Sequence, residues 1–102
     1  MKKSILILEE ISQKCYSDTT EFKYSKDNSI SDKYKKGRVD ASTWVNELIY
    51  HYVQKEKSFL QEFKQHIKDQ KEIISIIKNG DYKQGLYDQL QIIEGRIDDS
   101  IN

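Results

Sequence analysis

Apolar side chains recur at steps of three and four residues along most of this 102-residue chain, which is the spacing of an amphipathic helix. The longest such stretch, residues 41–78, contains neither Gly nor Pro. At roughly 1.5 Å per residue, a continuous helix of that length would extend about 57 Å. The pattern therefore predicts an all-α fold built around one long central helix.

Both ends of this long helix carry recognisable signals. Asp40 is a good N-cap, and Gly80 suits the left-handed position that closes many helices. The apolar stripe lapses at residues 54–58, which are all polar, so an interruption there is one alternative. Because no Gly or Pro breaks the stretch, we expect the helix to continue.

Two shorter helices complete the predicted fold. Residues 4–17 form the first, with a short strand over residues 5–8 as the alternative. The other runs from residue 82 to about residue 99, is capped by Asp81, and folds back antiparallel on the long helix as an αα-hairpin. The sequence thus predicts a bundle or coiled-coil-like arrangement. The apolar stripes of the two helices are Leu8, Ile11 and Cys15, and Leu86, Leu90, Ile93 and Ile97.

Residues 18–39 are rich in Ser, Thr, Asp, Asn and Lys and contain few apolar side chains. This composition predicts a long polar linker within a single domain that spans residues 1–102. A brief extended segment is expected at residues 20–24, and Gly37 is expected to mark a turn.

The lengths of these helices predict a protein interface. The C-terminal helix is too short to cover residues 44–53, and the first helix covers only one side of them, so a second copy is expected on the other side. If the chain instead reversed direction near Lys55, its own residues would cover this stretch and no second molecule would be needed. The candidate interface residues are Trp44, Val45, Leu48, Ile49, Tyr52 and Val53.

The charges favour a protein partner over a nucleic acid. Seventeen basic and seventeen acidic side chains give a net charge of zero, without the strongly basic balance of many nucleic-acid-binding domains. One local basic segment precedes the long helix, flanked by Asp32 and Asp40, and a solvated linker is the favoured interpretation. The alternative is a small regulatory protein that contacts nucleic acid through Lys33, Lys35, Lys36 and Arg38.

No catalytic or cofactor motif is present. The sequence contains no Gly-rich phosphate loop, nucleophile motif or zinc signature. Glu47 and His51, like Glu62 and His66, share a helix face, but ordinary helix-surface hydrogen bonding explains both pairs better than a metal site. Cys15 is the only cysteine and lies on an apolar stripe, where a thiol acts as a small hydrophobic group. We therefore expect a non-enzymatic interaction module without a cofactor or metal.

The sequence gives no sign of a membrane protein. No stretch approaches the roughly 20 apolar residues of a membrane span. The apolar run at residues 5–8 is also too short for the core of a signal peptide, which needs about 7–15 apolar residues. A cytoplasmic protein is the expectation.

Overall fold

The computed structural model describes residues 2–54 and 60–101, and the side chains of residues 5–54 and 60–100. Its overall dimensions are 42 × 28 × 25 Å. The described residues form no strand, which confirms the all-α prediction, and none of their helices is long and apolar enough to cross a bilayer. The helices are α1 (Lys2–Lys23), α2 (Asp32–Gln54), α3 (Leu60–Ile74) and α4 (Asp81–Ile101).

Helices α1 and α2 form an antiparallel pair, the first hairpin. Ser12 Oγ donates to Asn46 Oδ1 across the pair at 2.8 Å. Residues 24–31 alone connect the two helices, so the predicted linker over residues 18–39 and the extended segment over 20–24 are wrong. Helix α1 continues past residue 17 because the buried Asp18 extends its inward stripe, with Lys14 Nζ 2.9 Å from the Asp18 carboxylate.

The start of α2 shows why the predicted cap was misplaced. Ser31 Oγ accepts a hydrogen bond from the Tyr34 backbone N–H at 3.1 Å, which is the bond of a serine N-cap. The Ser31 carbonyl also accepts the Lys35 N–H at 3.1 Å. Because Ser31 begins the helix earlier, Asp40 lies within α2 instead of capping it, and Gly37 is helical instead of marking a turn.

Helix α3 runs antiparallel to α2. The Tyr52 ring centroid lies 5.6 Å from that of Phe63 and 6.0 Å from that of His66. In one continuous helix, Tyr52 and His66 would be about 21 Å apart along the axis. The chain therefore reverses direction between Gln54 and Leu60, and the prediction of a single long helix is wrong. The predicted continuity through residues 54–58 itself falls mainly on residues outside the described ranges.

The connection between α3 and α4 also differs from the prediction. Helix α3 ends at Ile74, where Ser75 Oγ donates to the Glu72 carbonyl and so competes with regular helical bonding. The Gly80 carbonyl accepts the Gln84 N–H at 3.0 Å, which makes Gly80 the N-cap of α4 and Asp81 its first residue. Gly80 does not adopt a left-handed conformation, so its predicted role as a helix C-terminal glycine is wrong.

Helices α3 and α4 are antiparallel and form the second hairpin. Lys71 Nζ donates to Gln91 Oε1 at 2.6 Å, and Lys64 pairs with Asp98 farther along the two helices. Because α3 reverses relative to α2, and α4 reverses relative to α3, α2 and α4 run parallel at the centre of the molecule. A Cβ atom on Gly37 would lie 2.3 Å from the Tyr82 carbonyl oxygen, so these two backbones are in direct contact.

The two hairpins are related by an internal repeat. Residues 34–40 read YKKGRVD and residues 82–88 read YKQGLYD, so both fit the pattern Y-K-x-G-x-x-D. Tyr34 Oη donates to Asp88 Oδ2 at 2.7 Å, and Tyr82 Oη donates to Asp40 Oδ2 at 2.6 Å. These reciprocal bonds give the α2–α4 pair approximate two-fold symmetry, with α1 and α3 on its outside.

One hydrophobic core runs along this central pair. Each helix contributes a stripe at steps of three and four residues, and the stripes predicted for α1 and α4 are confirmed. The buried core side chains are Leu8, Ile11, Cys15, Ala41, Val45, Ile49, Tyr52, Phe63, Ile67, Ile74, Leu86, Leu90, Ile93 and Ile97.

Candidate functional site

The residues proposed from the sequence as an interface do not form one exposed surface. Val45, Ile49 and Tyr52 are buried in the core of the single chain. Trp44 and Leu48 are half-buried against that core, and only Val53 is exposed. The chain reversal between Gln54 and Leu60 contributes to this placement, because it returns the chain so that α4 can pack along α2. The α2–α4 and α1–α2 interfaces are the two most extensive between helices of the described residues.

An open apolar cleft lies beside Trp44 instead. It has a volume of about 270 Å³ and is lined by residues of α2, α4 and the end of α3. The two central helices contribute its aromatic side chains, Trp44 from α2 and Tyr82 from α4, and the end of α3 contributes isoleucines. We call it the Trp44 cleft; its lining residues are Asp40, Ala41, Trp44, Gln70, Ile73, Ile74, Ile77, Tyr82, Leu86 and Leu90.

Exposed isoleucines lie at the end of α3, where two of them line this cleft. Ile73 is 56% exposed on α3, Ile76 is 85% exposed just beyond the end of that helix, and Ile77 is also exposed. Ile73 and Ile77 line the cleft directly. We call these three side chains the isoleucine face. In a chain with 33% charged residues, apolar groups held together in water next to an apolar cavity are typical of an interaction site.

The polar edge of the Trp44 cleft is a hydrogen-bonded pair. Asp40 Oδ2 accepts from Tyr82 Oη at 2.6 Å and from Lys36 Nζ at 3.1 Å. The hydrogen bond that Tyr82 donates to Asp40, together with burial, raises the pKa of the Tyr82 phenol to about 12. The Asp40 carboxylate therefore already has both a neutral donor and a cation, and the remaining lining of the cleft is apolar except for Gln70.

On the opposite side of the α2–α4 pair, the equivalent region is filled by Arg38. The Arg38 guanidinium carbon lies 4.4 Å from the Phe22 ring centroid. Its Nε donates to Gln89 Oε1 at 2.7 Å, and its Nη1 donates to Tyr34 Oη at 3.0 Å. Gln89 Nε2 in turn donates to the buried Asp18 Oδ2 at 3.0 Å. The first hairpin thus closes its own side with a polar network.

Cys15 lies beside this network and is buried in the core. Burial, reinforced by the negative charge of Asp18, raises the pKa of the Cys15 thiol to about 12. Since the thiolate is the reactive form, a thiol in this environment is not suited to nucleophilic chemistry at neutral pH. This placement agrees with its interpretation as a small hydrophobic group.

The basic residues considered for nucleic-acid contact lie on the first turns of α2 and have dispersed roles. Lys35 is buried, with its Nζ 3.4 Å from the Ser25 carbonyl oxygen. Lys36 pairs with Asp40, and Arg38 is directed into the polar network. Of the four, Lys33 is exposed and forms no ion pair within the described part of the chain. They therefore do not form a single cationic surface.

The two histidines lie close to the same tyrosine. The ring centroids of His51 and His66 are 6.5 Å and 6.0 Å from that of Tyr52. Burial and the nearby Glu62 carboxylate raise the pKa of the Tyr52 phenol to about 12. Within residues 2–54 and 60–101, no group of three or more His, Cys, Asp or Glu side chains is placed to hold a metal ion.

Sequence reasoning identified Trp44 but missed its surroundings. Periodicity places Ile73 and Ile77 on the apolar stripe of a long helix and gives no reason to single out Ile76. The repeated pattern Y-K-x-G-x-x-D is the signal that would have revealed two related hairpins, and hence a chain reversal before the second one.

Comparison with protein-family models, with curated proteins and with solved structures found no match to this chain.

Proposed function

We propose that this chain is a non-enzymatic interaction module that assembles as a homodimer through the isoleucine face and the adjoining Trp44 cleft. The observation that carries the proposal is the exposure of Ile73, Ile76 and Ile77 beside an open apolar cavity. The sequence pattern predicts an uncovered stripe over residues 44–53, but this stripe is not the reason for a dimer. Helices α1 and α4 pack along α2, and Val45, Ile49 and Tyr52 are buried within the single chain. The proposal rests on different residues.

A second copy is the partner because the surface is self-complementary. The exposed Ile73 and Ile77 line the cleft, and Ile76 lies between them in the chain, so protruding apolar side chains adjoin a concave apolar site. In a two-fold symmetric interface, the projection of each copy meets the depression of the other, so one patch serves both partners. The zero net charge adds no long-range repulsion between copies.

The dimer is expected to be weak. Burying an exposed isoleucine contributes roughly 1.5–3 kcal/mol. Association costs roughly 4–15 kcal/mol in lost translational and rotational freedom. With a few such side chains from each copy, the gain and the cost are of similar size, so dissociation is measured over a wide range of protein concentrations.

The molecular mass in solution tests this proposal. In a sedimentation-equilibrium series from micromolar to millimolar concentration, the mass should rise from the chain mass of 12.1 kDa towards twice that value. The variant Ile73→Glu should be a monomer, because it places a charge in the contact. Leu6→Glu is the matched control, since Leu6 is 57% exposed on α1, far along the chain from this face, and the variant should dimerise like the unmodified chain. A monomeric unmodified chain would contradict the proposal.

Nucleic-acid binding is not proposed alongside it. Three of the four basic residues in the candidate segment have intramolecular partners: Ser25 for Lys35, Asp40 for Lys36 and Gln89 for Arg38. A phosphate backbone would have to compete with each of these contacts, and no other feature of α2 favours such a ligand.

A further inference from the structure

The Trp44 cleft has a filled counterpart in the same molecule. In the repeat, Leu86 occupies the position that Arg38 has in the first hairpin, and Ala41 occupies the position of Gln89. Arg38 and Gln89 are bonded to each other at 2.7 Å and close the space between α1 and the central helices. Leu86 and Ala41 are shorter and leave about 270 Å³ open on the other side. The cavity therefore exists because Leu86 and Ala41 are shorter than Arg38 and Gln89, which occupy the equivalent positions of the repeat.

The chemistry of the open cleft differs from that of the filled one. The open cleft is lined near Leu86 by the apolar side chains of Trp44, Ile73 and Ile74. The filled side instead contains the Arg38 guanidinium, Gln89 and the buried Asp18. The carboxylate of Asp40 at the edge is already paired with Lys36 at 3.1 Å. A further cation would lie close to Lys36, and a polar group would find few partners deeper in the cleft. The cleft is therefore suited to an aliphatic side chain.

We propose that the Trp44 cleft is the socket for Ile76 of a second copy of this chain, and that the two copies exchange these side chains about a two-fold axis. This inference rests on the proposed homodimer and specifies which contact holds it together. Ile76 is the most exposed large hydrophobic side chain of the described residues, at 85%, and follows directly after α3, which forms one wall of the cleft. A cavity of about 150 Å³ can already hold benzene, so this one has room for an isoleucine side chain.

Trp44 provides a direct measure of occupancy because it is the only tryptophan in the chain. Its emission should shift to shorter wavelength as the concentration rises through the dissociation constant of the dimer, since the entering Ile76 displaces water from the half-buried indole. The variant Ile76→Ala should weaken the dimer about tenfold or more, because the side chain is lost at two symmetric contacts. Leu6→Ala is the matched control and should leave the dissociation constant unchanged.

A second variant fills the socket from inside. The double substitution Ala41→Gln and Leu86→Arg introduces into the open cleft the two side chains that fill the equivalent space of the first hairpin. Tyr82 Oη would then accept the hydrogen bond from the new arginine, as Tyr34 Oη does from Arg38. This protein should remain helical by circular dichroism, sediment as a monomer, and show Trp44 emission that does not depend on concentration. If the double variant does not fold, the comparison of Ile76→Ala with Leu6→Ala decides the question alone.

The outcomes separate this inference from the proposed function. If Ile76→Ala dimerises as tightly as the unmodified chain, or if the filled variant still dimerises, the socket is wrong. Loss of dimerisation in Ile73→Glu would then still support assembly through the isoleucine face. If the unmodified chain is monomeric, both proposals fail.

Discussion

At the scale of single residues, the Tyr–Asp pairs set the register of the two central helices. Tyr34 donates to Asp88 and Tyr82 donates to Asp40, each across the α2–α4 contact. Apolar side chains tolerate small sliding movements, whereas a hydrogen bond to a carboxylate has a narrow range of useful distances. A hydrogen bond to a charged group contributes about 1.5–3 kcal/mol. The repeated motif therefore encodes both the contact and its alignment.

The pH dependence of stability should follow from two tyrosines with raised pKa values, the buried Tyr52 and the partly buried Tyr82. The pKa values of Tyr52 and Tyr82 are raised from 10.0 to about 12 in the folded chain. Because the folded pKa exceeds the unfolded one, their contribution to the free energy of unfolding is fully present below pH 10 and is lost as the pH rises towards 12. Denaturant unfolding at a series of alkaline pH values should show stability falling over this interval.

The variant Tyr82→Phe tests the contribution of one of these groups. It should lower the free energy of unfolding at neutral pH by about 1 kcal/mol, because Asp40 loses a hydrogen-bond donor but remains accessible to water. It should also remove one late-titrating phenol from the absorbance titration. Tyr16→Phe, at an exposed position, should leave the free energy of unfolding unchanged. An unchanged titration in Tyr82→Phe would mean that Tyr82 is not the perturbed group.

At the scale of the elements, two glycines allow α2 and α4 to touch. A Cβ atom on Gly85 would lie 2.3 Å from the Tyr34 carbonyl oxygen, and the same holds for Gly37 and the Tyr82 carbonyl oxygen. Backbone atoms cannot move aside as the end of a flexible side chain can. Gly95, by contrast, lies within α4 in open space, where a Cβ atom would meet nothing within 4 Å.

The pair Gly37→Ala and Gly95→Ala should therefore change stability in opposite directions. Gly37→Ala forces the central helices apart and should cost at least about 2 kcal/mol, as overpacking against a rigid neighbour does. Gly95→Ala should stabilise the chain by about 0.5–1 kcal/mol, because it restricts the unfolded backbone without a clash. Thermal or denaturant unfolding measures both. Equal effects of the two substitutions would contradict the close backbone contact at Gly37.

The sequence predicts the kind of elements here better than their bounds and directions. Periodicity identifies helices correctly, and the stripe of α4 lies in the core as expected. The polar composition of residues 18–39 predicts a linker, yet the inward positions on their helical parts are filled by polar groups such as Asp18 and Lys35. Composition cannot distinguish a solvated segment from a helix whose buried positions are polar but paired.

The candidate site was harder to predict because it depends on a change of direction. Asp40 and Ser31 are both good N-caps, and Gly37 fits either a turn or a close helix contact, so local signals alone do not decide between them. The reversal between Gln54 and Leu60 has no Gly or Pro to mark it. The tertiary contacts of Tyr52 with Phe63 and His66 show it directly, and in the sequence the repeated Y-K-x-G-x-x-D pattern hints at it.

At the scale of the whole molecule, α2 and α4 hold the two hairpins together. Their interface is the most extensive between any two helices in the described residues, whereas α1 and α3 pack on the outside. Arg38 belongs to α2 but is bonded to Gln89 of α4, which in turn is bonded to Asp18 of α1. Neither hairpin can keep its core closed without the other, so the chain should unfold as one cooperative unit.

Native-state hydrogen exchange tests this cooperativity. The amides of α2 and α4 around Gly37 and Gly85 should be the most protected and should exchange only through global unfolding, while residues 24–31 exchange rapidly. The variant Arg38→Met keeps the apolar stem but leaves the buried Gln89 without its donor, and it should cost about 1–3 kcal/mol. Protection in both hairpins should fall by the same amount. If the variant weakened only the first hairpin and left α3 and α4 fully protected, the hairpins would be independent units, and the central pair would be a contact between two domains instead of the core of one.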